Sequence, residues 1–205
     1  MTDNVGAQNG RTRLWCLTFD DITNPDHGGT IDLLIDGRVV GGERVNMFDN
    51  ITVNRKSGVI VLVEDVGNAA HNGKVWLYDP ADDSLVKVAK HDPVRFGDVT
   101  TAPTSPFNRD EEASGILDVS SILGPGYYLS DTQAHYTISN SVNVQGFSNP
   151  AELVEGGQLW VARIPLPVAE DKNRCKGSGW QGLFRANGTE FKNQGDCIQY
   201  VNTGK

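Results

Sequence analysis

With 205 residues and a formal net charge of −8, the chain has the length of one ordinary domain or of part of a larger one, and its acidity disfavours a nucleic-acid partner, whose phosphates it would repel. No run of about 18 apolar residues occurs, which excludes a membrane-spanning helix. The 23 glycines and 9 prolines punctuate short apolar runs, a distribution of many turns and many strands.

Met1-Thr2-Asp3-Asn4 has neither a basic region nor an apolar core, so the chain as written carries no signal peptide; a mature secreted chain reads the same way. Arg13 to Phe19 reads as a strand ending in Asp20-Asp21, and Thr30 to Ile35 as a second ending at the Asp36-Gly37 turn. Cys16 alternates with apolar neighbours and reads as a small buried hydrophobe. Ile51 to Val53 leads into a loop over 54–58. Val59 to Glu64 is a nearly continuous apolar run, as a strand covered on both faces requires. Lys74 to Tyr78 and Leu85 to Ala89 flank the turn at Asp79-Pro80-Ala81-Asp82-Asp83.

Residues 51–90 thus hold four short strands with turn chemistry between them, which is the content of one propeller blade. Residues 13–36 read as the last two strands of a preceding blade. Gly115 to Val119, Tyr127 to Ser130 and Gln158 to Ile164 read as strands of a following one. WLYDP near residue 78 and LWVAR near residue 161 suggest one blade position repeated. The stretches 92–114 and 136–157 read as long loops, the first with little helix tendency. The expected fold is therefore all-β: a partial β-propeller of two to three blades of antiparallel four-stranded sheets, spanning 1–167, with a small Cys-bracketed segment over 168–205. Nine or ten strands do not close a ring. The sheets are expected to complete themselves with a second copy, as a homo-oligomer, or with a missing N-terminal half.

Cys175 and Cys197 bracket the Gly-rich tail, and a disulfide between them is expected; two reduced thiols are the alternative. The absence of a CxxC pair argues against a zinc site.

Acids, amides and imidazoles gather at strand boundaries. Glu64, Asp65, Asn68, His71 and Asn72 follow the apolar strand directly. Oxygen ligands of this kind suit calcium, and a nearby imidazole admits a transition metal. An Asx-rich turn accounts for the same residues. Asp49 and Asn50 precede the strand at 51, either as further ligands or as turn residues. Of the acids Asp110, Glu111 and Glu112, Glu112 is the one expected to turn inward to a cation; a solvated face is the alternative. Asp131 and His135 follow the strand that begins at Tyr127. No GxSxG, HExxH, P-loop or dinucleotide fingerprint occurs.

The stretches EDVGNAAHN (64–72) and EEASGI with DTQAH (111–135), together with RTRLWCLTFDDI, HDPVRFGD and ELVEGGQLWVARI, resemble the C-terminal half of bacterial PhoX-like phosphatases, over roughly residues 5–165. The resemblance implies a secreted or periplasmic calcium-dependent phosphomonoesterase of propeller fold, in some members with iron beside calcium, acting on organic phosphate esters. It implies metal binding by Glu64, Asp65, Glu112 and Asp131, and a role for Asn68 and His71 in orienting phosphate. The chain starts within a blade, so an isolated half without activity, serving binding or self-assembly, is the alternative; a phytase-like or lactone esterase is another. The tail CKGSGWQGLFRANGTEFKNQGDC resembles a C-terminal segment of secreted actinobacterial proteins, which implies export and supports the Cys175–Cys197 bridge.

Overall fold

The computed structural model describes residues 2–5, 11–67, 72–136 and 156–205. Within them twelve strands form small antiparallel sheets, with no closed barrel. β1 (Thr2–Val5), β2 (Arg11–Phe19) and β3 (Gly29–Asp36) make a first sheet in that order. β4 (Val39–Val40) and β5 (Glu43–Arg44) form a short hairpin. β6 (Phe48–Val53), β7 (Ile60–Glu64), β8 (Lys74–Asp79) and β9 (Ser84–Lys90) make a four-stranded meander. β10 (Glu111–Asp118), β11 (Tyr127–Ala134) and β12 (Gly156–Arg163) make a third sheet. The all-β class expected from the sequence is the one observed, and the meander has the strand order of a blade.

The three main sheets stack, and β7 explains why. Successive strand side chains point to opposite faces. Leu62 joins Leu14, Ile35, Phe48 and Trp76 in a core between the first and middle sheets. Val61 and Val63 join Val75, Ala113, Ile116 and Tyr128 in a second core between the middle and third sheets. Leu62, Val61 and Val63 are fully buried, so the apolar run over 59–63 is a strand covered on both faces. Trp76 and Trp160 both lie on the third strand of their sheets, β8 and β12, as the repeated tryptophan pentapeptides suggest.

Asn54, buried in the turn between β6 and β7, secures the stack. Its Oδ1 accepts from the amides of Lys56 and Ser57, and its Nδ2 donates to Asp118 Oδ2 at 2.8 Å, so one side chain closes a hairpin and ties the middle sheet to the third.

Several sequence expectations are corrected. β10 begins at Glu111, not Gly115, so Glu111 and Glu112 are strand residues, and β11 runs on to Ala134. The 92–114 stretch contains a one-turn helix, α1 (Pro93–Phe96), capped by Asp92 Oδ1, which accepts from the Val94 amide at 2.9 Å. A second short helix, α2 (Ser120–Leu123), precedes β11. Cys16 is exposed, not buried. Beyond the register shift between Leu14 and Trp15, Leu17, Phe19, Ile31 and Leu33 of the β2–β3 hairpin are exposed as well. The loop expected over 136–157 lies, between 137 and 155, outside the described residues.

The tail has its own small core, in which the Cys175–Cys197 disulfide packs with Ala169, Leu183 and Phe191. Closing a loop of 22 residues stabilises this segment by about 3 kcal/mol in the chain-entropy model. Helix α3 (Gln194–Thr203), absent from the sequence reading, starts at Asn193, whose side chain accepts from the Asp196 amide. It ends at Gly204, whose φ of 72° is the left-handed conformation that glycine adopts freely. Among the described residues no helix is long and apolar enough to cross a membrane.

Candidate functional site

The strand-end acids divide into two sets with different chemistry. Glu64, last residue of β7, points into the first core and is fully buried. Its Oε1 accepts from the Asn46 amide and from Trp76 Nε1, both at 2.7 Å, and its Oε2 lies 3.4 Å from Lys74 Nζ. Lys74, almost as buried, also donates to the Asn72 carbonyl at 2.8 Å. Burial pushes the Glu64 carboxyl up to about 7, against the pull of Lys74 and the two donors. A carboxylate so committed is a structural anchor. The expectation that Glu64 lines an open cation site is corrected on this point: strand alternation turns it toward Trp76.

Glu111 occupies the corresponding inward position on β10. It is fully buried, accepts from the Gly73 amide at 3.2 Å and lies 3.4 Å from His91 Nδ1. Adjacent strand residues face opposite ways, so Glu111 points into the core and Glu112, the acid expected to turn to a cation, points to the other face. Glu111 Oε2, Asn72 Oδ1 and both side-chain polar atoms of Asn46 are buried without a hydrogen-bond partner.

Glu112, on the other face, meets Asp65. A single antiparallel bridge joins the two residues, where the end of β7 meets the start of β10. The bridge sets the two acidic residues side by side. Burial first, and then the Asp65 carboxylate, push the Glu112 carboxyl up to about 7, while Ser114 and His135 pull it the other way. Asp65 is held in place by its own turn, its Oδ1 accepting from the Gly67 amide at 2.9 Å. His135 follows β11; its carbonyl accepts from Asn108 Nδ2 at 2.7 Å. Asp65 and Glu112, singled out from separate stretches of sequence, thus meet, and His135 follows two residues after Gln133, the register partner of Glu112.

Asp131 lies within β11, beside the irregularity in β10 between Ala113 and Ile116. Gly115 makes room for it: a Cβ there would stand 3.2 Å from Asp131 Oδ1. Asp49 and Asn50 lie inside β6, at its register shift, and Asn50 Nδ2 donates to Asp49 Oδ2. Asn68 and His71 lie outside the described residues. Among the described residues no three His, Cys, Asp or Glu side chains form a ready metal site. The oxygen donors of Asp65 and Glu112 nevertheless are of the kind that suits a hard divalent cation.

His91 and Glu111 were not singled out in the sequence, although HDP at 91–93 carries a helix-start signal that marks the segment as structured.

Searches against family models, curated proteins and solved structures match nothing to this chain.

Proposed function

We propose that the chain is a calcium-dependent phosphomonoesterase of the PhoX-like kind, or the C-terminal part of one, acting on organic phosphate esters outside the cytoplasm. The observation that carries this reading is the meeting of Asp65 and Glu112, from two different sheets, at one strand-end position beside His135. The sequence resemblance supplies the reaction class, and the disulfide is the chemistry of an oxidising compartment.

In this reading Asp65 and Glu112 hold the cation, and Asp131 on β11 keeps the metal-binding role implied by the resemblance. A calcium ion held there, with iron beside it in some relatives of the family resembled, would neutralise charge on the phosphoryl oxygens. Asn68 and His71 retain the phosphate-orienting role implied by the resemblance. The purified chain is expected to release 4-nitrophenol from 4-nitrophenyl phosphate with calcium present, to lose that activity in a chelator, and to regain it with excess calcium. Absence of turnover at every calcium and iron concentration overturns the reading for this chain.

A second reading, a self-assembling β domain, is favoured by one observation. Leu17, Phe19, Ile31 and Leu33 on the first sheet, and Leu117, Leu159 and Val161 on the third, leave apolar surface exposed at both ends of the stack. Apolar area of this kind is a common mark of an interface. Light scattering is expected to give at least twice the 22.3 kDa chain mass, and Leu33→Lys to return the monomer. A monomer at every concentration excludes assembly.

A further inference from the structure

A cleft of about 430 Å³ opens between β8–β9 of the middle sheet and β11–β12 of the third, with α1 at its edge. Its volume falls in the range of small-molecule sites, roughly 300–1,000 Å³. It is separate from the Asp65–Glu112 pair, neither of which lines it.

Rings wall it. Phe96 lies 5.6 Å from His91 and 5.2 Å from Phe107, and Phe107 lies 5.0 Å from Tyr136, the last two contacts edge to face. Trp160 lines the third-sheet side. This leaves a space bounded by aromatic faces and edges, which attract another ring through offset or edge-to-face contact.

The polar groups are few and ordered. Thr132 Oγ1 accepts from Trp160 Nε1 at 3.2 Å and meets His91 Nε2 at 3.5 Å. His91 Nδ1 faces the fully buried Glu111 carboxylate at 3.4 Å, and neither Nδ1 nor Glu111 Oε2 has a hydrogen-bond partner. The wall is thus built on a hydroxyl, an imidazole and a buried acid, with polar capacity left over.

The mouth carries Lys90, Arg95 and Asp92, two cations against one acid, in a chain of net charge −8. Lys90 is shared between Glu43 at 3.6 Å and Asp98 at 3.9 Å. Arg95 has Asp92 at 3.6 Å, a pair in which both side chains are about half exposed or more, and such pairs contribute little. The guanidinium lies 5.8 Å from the centre of the Phe107 ring, so it is held at the edge of the aromatic wall with donors to spare.

We propose that this cleft binds a small planar aromatic ligand carrying an anionic group, its ring between Trp160 and the Phe96–Phe107–Tyr136 wall and its anion on Arg95. The proposal does not rest on the phosphatase reading. Benzenesulfonate, which is not a phosphate ester, tests it by isothermal titration calorimetry in the presence of a chelator, with methanesulfonate as the ringless control.

Saturable binding of benzenesulfonate and none of methanesulfonate is expected. Arg95→Gln, at an exposed position, should weaken it about tenfold, the loss expected for one charge-assisted hydrogen bond. Trp160→Leu should abolish it. Absence of saturable benzenesulfonate binding, or binding that Arg95→Gln leaves unchanged, overturns the proposal, and the exposed Arg95 keeps the test open should Trp160→Leu fail to fold.

Discussion

At pH 8, where Glu64 is ionised, Glu64→Ala is expected to lower folding stability by about 3–5 kcal/mol, the cost of removing one partner from a buried ion pair. The substitution strips Trp76 Nε1 and the Asn46 amide of their acceptor and leaves the Lys74 ammonium buried with only the Asn72 carbonyl to accept from it. Against a total of roughly 5–15 kcal/mol for an ordinary domain, such a loss should turn a cooperative urea transition into a shallow or absent one. Glu64→Gln keeps an oxygen for Trp76 and Asn46 and should cost less than half as much. A double variant, Glu64→Gln with Lys74→Met, removes both charges and should recover most of the loss. Chemical denaturation of the three variants checks this. If Glu64→Ala unfolds within about 1 kcal/mol of the parent, near the typical effect of any single substitution, the anchoring role is wrong.

Raising the pH from 5 to 8 without divalent cations is expected to lower the melting temperature, and added calcium to restore it. Glu64 and Glu112 both hold their protons up to about 7 in the folded chain, against an ordinary value of 4.5. The folded state therefore binds protons more tightly than the unfolded one between these values. That contribution is fully present below about 4.5 and is lost as the pH rises through about 7. Above it, Asp65 and Glu112 face each other as two anions unless a cation joins them. Glu112→Gln should raise the melting temperature at pH 8 in a chelator, abolish the calcium response, and reduce phosphate release at least about 100-fold, as removal of a group that stabilises transition-state charge does. Scanning calorimetry with and without calcium separates the cases. A Glu112→Gln protein that calcium still stabilises would place the cation elsewhere.

What the sequence revealed of these sites follows strand geometry. The run at 59–63 is apolar at every position, so a strand covered on both sides was readable without coordinates. The pair Glu111 and Glu112 shows the opposite case. Only one of two adjacent strand residues can face a given core, but which one depends on where the strand starts, and the Pro-rich stretch before Glu111 concealed that start. Once β10 begins at Glu111, burial of Glu111 and contact of Glu112 with Asp65 follow together. The Asp92-Pro93 pair that opens α1 is a helix-start signal, an Asx cap followed by proline, but Pro103 and Pro106 further along make the whole stretch read as a loop. The bridge between Asp65 and Glu112 was not readable, because local pattern carries no information about which sheet packs on which. Cys16 misled for the same reason: alternation gives a face, and only the stack decides whether that face is covered.

The tail follows β12 in the chain but is fastened elsewhere. Arg174 reaches Asp79, the last residue of β8, at 2.6 Å and Asp82, in the turn that follows, at 3.1 Å, and Lys56, in the turn between β6 and β7, pairs with Glu190. A pull on the C-terminus is therefore borne by the middle sheet, whose strands are the best covered, before it reaches β12. The disulfide shortens the slack, since the 22-residue span it closes cannot pay out under tension. The segment is thus a clamp across two turns of the middle sheet, not a strand trailing from β12.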